Sequence, residues 1–114
     1  MLEKELVELH DTESLDLFLK GSNGRPLILF KHSNSCGISS LAYKEMAGVE
    51  QPVGVITVQR SREVSDEIER RFGLSHETPQ VLIVRNNELL WSASHGQVRA
   101  HAVKAALEQV SSEL

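Results

Sequence analysis

Apolar positions along this chain follow two alternating rhythms. Leu6, Val7 and Leu9 form a short patch, either a first strand or the end of a helix. Asp11 or Thr12 can cap the next segment, where Leu15, Phe18 and Leu19 recur at helical spacing. Gly21-Ser22-Asn23-Gly24 stops that helix. Pro26 opens Leu27-Ile28-Leu29-Phe30, a run without alternation, as in strands buried on both faces. After Cys36 the spacing predicts a helix with Ile38, Leu41, Ala42 and Met46 on one side and Gly48 at its end. Val53, Val55, Ile56 and Val58 predict another strand. Ser61 can cap a helix whose buried stripe is Val64, Ile68 and Phe72, closed by Gly73. Glu63, Asp66, Glu67, Arg70 and Arg71 form its solvated outer face.

Thr78-Pro79 precedes Val81-Leu82-Ile83-Val84, and Asn86-Asn87 is a turn signal. Glu88-Leu89-Leu90-Trp91 returns as the second arm of a hairpin. Gly96 leads into a last helix with Val103, Ala106, Leu107 and Val110 on one face. The predicted order is β-α-β-α-β-α-β-β-α. Alternation in the first half implies parallel strands; the hairpin adds antiparallel ones. The fold class is therefore α/β, a mixed central sheet flanked by helices on both faces. No repeat or boundary divides residues 1–114, so one domain is expected.

Composition narrows the function classes. Of 114 residues, 40% are apolar, enough for an ordinary core, and 25% are charged, too few for disorder. A net charge of −4 argues against a nucleic-acid partner, which leaves a basic footprint. No apolar run is long enough to cross a bilayer, so no membrane role is expected. MLEKELVELHDTE lacks the apolar block of a signal peptide, making a cytoplasmic location the default expectation. The single cysteine excludes an internal disulfide and the multi-cysteine zinc patterns. His10, His32, His76, His95 and His101 stand at no spacing that specifies a metal, so no metal site is expected.

That cysteine, Cys36 in Ser33-Asn34-Ser35-Cys36-Gly37-Ile38-Ser39, lies between a predicted strand and a predicted helix. A helix N-terminus offers unpaired N–H groups and about half a positive charge. Both favour the thiolate, the nucleophile of disulfide exchange. Gly37 puts no side chain over the sulfur, and Ser39, one turn on, can donate a hydrogen bond to it. Lys31 and His32 add positive character, although a strand points one of them away. A free cysteine is often a buried, inert residue; the polar flanks Ser33, Asn34 and Ser35 argue against that here.

The element order, with a cysteine at the second strand-to-helix junction and Thr-Pro before a hairpin, looks like the thioredoxin fold. A narrower resemblance lies in FKHSNSCGISSLAYKEM and SHETPQVLIVRNNELLWSASHG, which resemble the YtxJ family of monothiol bacilliredoxins. That family carries Phe-Lys-His-Ser, Cys-Pro-Ile-Ser, Ser-Pro-Gln-Val and Trp-x-Ala-Ser-His, the last matched by Trp91, Ala93, Ser94 and His95. Gly37 stands where the family usually has proline, which loosens the first helical turn, and Thr78 where it often has serine.

The resemblance implies that Cys36 is the nucleophile, and that Pro79 is cis and faces it. Thr78 then pairs with an extended substrate or a small thiol. Ser35, Gly37 and His76 are further candidates for contact with bound thiol. It also implies bacillithiol as co-substrate, with no permanently bound cofactor, and proteins carrying mixed disulfides as partners. Phe30 stands where thioredoxins usually keep a buried acid that serves their second cysteine. The expectation is thus a monothiol thiol-disulfide oxidoreductase. The alternatives are a non-catalytic thioredoxin-like adaptor and a stress-related thiol-binding protein. The residues do not distinguish bacillithiol from glutathione or coenzyme A.

Overall fold

Asp11, not Thr12, caps the first helix. Its side chain accepts the Ser14 N–H at 2.8 Å while Ser14 Oγ accepts the Asp11 N–H at 3.1 Å, a reciprocal cap. The computed structural model describes residues 6–112. Residues 1–5, part of the segment read above for a signal peptide, lie outside that range. In chain order the elements are β1 (Leu6–Glu8), α1 (Thr12–Lys20), β2 (Leu27–His32), α2 (Gly37–Ala47) and β3 (Val53–Thr57). α3 (Arg62–Phe72), β4 (Gln80–Arg85), β5 (Glu88–Ser94) and α4 (Ala100–Ser112) follow, with a 3₁₀ turn at His95–Gln97. The first apolar patch is a strand, and β5 runs three residues past Trp91.

The strands form one sheet in the order β1-β3-β2-β4-β5. β3 is parallel to β1 and β2, while β4 is antiparallel to β2 and β5. Asn86 and Asn87, at φ 52° and 66°, make the tight turn between β4 and β5. Strand alternation divides the core. Ile28, Phe30, Val53, Val55, Val81 and Ile83 pack under α2 and α4. Leu29, Ile56, Leu82 and Val84 pack under α1 and α3. Gly54 is the tight spot of the second layer: a Cβ there would lie 2.8 Å from Leu9 Cδ1 and 3.0 Å from Phe18 Cε2. Arg71 of α3 ties the two helices of that layer by reaching Asp16 of α1 at 2.9 Å.

One helix departs from its predicted face. The inner stripe of α2 is Ser39, Ala42 and Met46, whereas Ile38 is 50% and Leu41 64% exposed. The stripe is rotated because Ser39, although polar, is fully satisfied when turned inward.

Candidate active site

The strand β2 ends beside the start of β4, since Lys31 pairs with Gln80. The loop after β2 and the loop before β4 therefore emerge at the same end of the sheet. The first loop carries Ser33, Asn34 and Ser35 and delivers Cys36 to the N-cap of α2 in an extended conformation (φ −124°). The second carries Ser75, His76, Glu77 and Thr78, and the Thr78–Pro79 bond is cis. Cys36 is half-buried and is a free thiol. Gly37 is exposed beside it, with no atom within 4 Å of where a Cβ would stand.

Both loops are tied down by side chains. Gln59, just beyond β3, holds the first: its Nε2 donates to Ser33 Oγ at 2.8 Å and Ser35 Oγ at 3.1 Å. Its Oε1 accepts the Asn34 N–H at 3.1 Å. His95 holds the second. Its N–H donates to the Pro79 carbonyl at 2.8 Å, and its Nε2 meets Glu77 Oε1 at 2.8 Å. It does so from a left-handed backbone position, φ 56°. Gln80 Nε2 adds a third tie, donating to the Ser75 carbonyl at 3.0 Å.

Ser39 sits one turn after Cys36 and is 0% exposed. Its hydroxyl accepts the Ser33 N–H at 2.9 Å and lies 2.8 Å from His32 Nδ1. The expected Ser39 donor is thus in place but turned toward His32 rather than the thiol. The His32 ring rests against Tyr43, with centroids 4.8 Å apart, and against Phe30 at 5.7 Å. Burial pushes the His32 imidazole below its ordinary value, partly offset by the Glu8 carboxylate.

Lys31 points the other way. It is 0% exposed, and its Nζ donates to His76 Nδ1 at 3.3 Å, an atom that Ser65 Oγ also approaches at 3.2 Å. The structure thereby brings Cys36, Ser39, Ser35 and Gly37 to one end of α2. Thr78 and Pro79 open the adjoining β4, while the Nδ1 edge of His76 is engaged with Lys31 and α3. Sequence reasoning missed Gln59 and the His32–Ser39 bond. Gln59 carries no local signal, because its partners lie about 25 residues away. The His32–Ser39 pair was readable only through strand alternation, which puts one of Lys31 and His32 under α2. Among the described residues no group of three or more His, Cys, Asp or Glu is placed to hold a metal, and no helix is long and apolar enough to cross a membrane.

A single thiol at a helix start, with a cis-proline loop at the same end of a β1-β3-β2-β4-β5 sheet, is the arrangement of a thiol-disulfide oxidoreductase of thioredoxin fold. Solved structures share that fold. A candidate oxidoreductase with a thioredoxin fold matches at TM-score 0.81 and 24% identity, over 89% of this chain and 92% of its own. Thioredoxin from Trypanosoma brucei brucei matches at 0.76 and 11%, over 95% and 92%. Fasciola hepatica thioredoxin matches at 0.74 and 10%, over 91% and 98%. Within this class, the profile of the monothiol bacilliredoxin BrxC family matches residues 7–103, and the chain belongs to that family.

Proposed function

We propose that Cys36 removes a low-molecular-weight thiol, bacillithiol, from protein cysteines. The observation that carries this reading is a half-buried thiol at the N-cap of α2 in a chain with no second cysteine. The Cys36 thiolate attacks the small-thiol sulfur of a protein mixed disulfide. The protein cysteine leaves as a thiolate and takes a proton from water. Cys36 now holds the small thiol as its own mixed disulfide. No resolving thiol exists in the chain, so a second small thiolate attacks that sulfur. It frees Cys36 and yields the disulfide of two small thiols, which a reductase elsewhere must reduce.

The surroundings support the assigned roles. Ser35 and Gly37 flank Cys36 along the chain. Thr78, Pro79 and His76 belong to the loop that emerges at the same end of the sheet, which supports assigning them to the thiol-binding surface. Ile38 and Leu41 stand exposed beside the thiol and offer apolar area to a protein partner. The groove over Ile38 and Leu41 is also bordered by Lys44, Arg99, His95 and Glu45. Arg99 pairs with Glu45 at 3.6 Å and His95 with Glu77 at 2.8 Å, so Lys44 is the cation there that a carboxylate of a small acidic thiol would meet.

The test is oxidation with diamide in the presence of bacillithiol, glutathione or coenzyme A in turn, followed by intact mass and by transfer from a mixed-disulfide protein. The expected result is one bacillithiol adduct on Cys36, formed and released faster than the others. Equal rates for all three would overturn the choice of bacillithiol, and no adduct at all would overturn the exchange reaction.

A further inference from the structure

Ser39 has one proton and two claimants for it. Its oxygen already accepts the Ser33 N–H at 2.9 Å and lies 2.8 Å from His32 Nδ1. A serine hydroxyl has one donor and two acceptor sites, and a neutral imidazole carries its proton on only one nitrogen. Two arrangements satisfy every group. In one, His32 is protonated at Nε2 and Ser39 donates to Nδ1. In the other, His32 is protonated at Nδ1 and donates to Ser39, whose own proton is then free. Ser39 is the third residue of the helix that Cys36 caps, three positions on from the thiol, and residues three apart are neighbours on a helix surface. The freed proton can thus be turned to the sulfur.

We infer that Ser39 passes its hydrogen bond between His32 and Cys36, so that His32 is a positioning residue for the thiolate. While Cys36 is a thiol or a mixed disulfide, Ser39 donates to His32 Nδ1. When Cys36 ionises, its proton moves to Ser39 oxygen, the Ser39 proton moves to Nδ1, and the Nε2 proton leaves to water. One proton is lost overall and the imidazole stays neutral. The hydroxyl, now receiving two hydrogen bonds, points its proton at the thiolate; bonds in such a chain strengthen one another.

The setting suits an imidazole that changes tautomer rather than charge. His32 is packed on Phe30 and Tyr43, and burial disfavours its cation. The titratable groups that act on it are Tyr43 from α2 and Glu8 from β1, whose Oε2 accepts the Thr57 N–H at 3.3 Å, with Cys36 three residues before its partner Ser39. Phe30 fills the place where thioredoxins keep a buried acid for their second cysteine; with no second cysteine here, His32, two residues further on the same face of β2, serves Cys36 instead.

The inference rests on Cys36 being the reactive thiol, and the experiment separates the two. Imidazole nitrogen NMR of His32 is recorded on the whole chain while pH is raised and thiolate absorbance is followed. The expected result is a change from Nε2–H to Nδ1–H that tracks the thiolate and is absent in Cys36→Ala. Ser39→Ala should abolish the tautomer change and slow iodoacetamide labelling of Cys36 about tenfold, the loss of one hydrogen bond to a charged acceptor. If Cys36 exchanges small thiols while His32 keeps one tautomer throughout, the relay is wrong and the exchange reading stands. If Cys36 fails to exchange any small thiol, the exchange reading falls and takes the relay with it.

Discussion

Lys31 and His32 are neighbours in β2 and serve opposite sides of the sheet. Lys31 is fully buried and His32 partly so, and burial disfavours the charged form of each. Lys31 ends on His76 Nδ1, which Ser65 of α3 also approaches, with Glu69 and Asp66 partly offsetting its burial. His32 ends on Ser39, one turn from the only thiol in the chain. The same strand therefore carries an anchor on one face and chemistry on the other. A polar network close to an active site need not belong to it: what matters is which face its side chains occupy.

The largest effect should separate the two faces outright. Cys36→Ser is expected to abolish transfer of the small thiol while leaving the melting temperature close to that of the native chain. Lys31→Met is expected to keep transfer within about threefold, because it touches only the anchoring face; a threefold change is about 0.65 kcal/mol. Transfer is measured from a labelled mixed-disulfide protein, and a large loss in Lys31→Met would erase the distinction between the faces.

Next comes the brace on the catalytic side. Gln59→Leu removes three hydrogen bonds to Ser33, Asn34 and Ser35. The bond to Ser33 is partly buried and the other two are exposed, and a net hydrogen bond contributes about 0.5–1.5 kcal/mol, the exposed ones at the low end. The expected outcome is a rate loss of about tenfold, equivalent to about 1.4 kcal/mol, with a melting temperature lowered by about 4–8 °C for each kcal/mol of stability lost. Equal loss of rate and fold would show that Gln59 supports the sheet rather than the loop.

Much of this arrangement is legible in the sequence. The order of elements, Cys36 at a helix start and the cis bond before Pro79 all follow from apolar spacing or from the family resemblance. The face of α2 does not, because Ile38 and Leu41 look like core residues by hydropathy while Ser39 does not. What turns Ser39 inward is the pair of bonds from Ser33 and His32, and hydrophobic periodicity is blind to hydrogen bonds. The ties made by Gln59 and His95 are equally silent in the sequence, since each joins segments far apart along the chain.

The two faces should also differ in their response to pH. A depressed folded value means that stability is present above the ordinary value and lost as pH falls through the folded one. For His32 the ordinary value is 6.5, so stability should decline as pH drops below it. For Lys31 the ordinary value is 10.5, so the penalty of burying its charge is lifted only as pH rises toward that value. His32→Phe should flatten the acid arm of the curve of melting temperature against pH. Lys31→Met should flatten the alkaline arm and raise stability at neutral pH, as replacing a buried charge with an apolar side chain often does. If either variant altered the other's arm, the two networks would be coupled through the strand.

The smallest effect concerns Gly37, on the catalytic side. It occupies the first position of α2 and is open to solvent, with nothing within 4 Å of where a Cβ would stand. Proline is favoured at that position, because its fixed φ suits the helix and its missing N–H has no partner within the helix. Gly37→Pro, which restores the residue usual in the family, should stabilise the fold by about 0.4–1 kcal/mol through a less flexible unfolded chain. It also removes one N–H from the helix start that faces Cys36, while leaving those of Ile38 and Ser39 in place. Transfer should therefore change by less than about threefold, within about 0.65 kcal/mol. Thermal unfolding and the transfer rate are measured on the same sample. A stabilised protein with a rate many times lower would mean that the Gly37 N–H itself holds the thiolate.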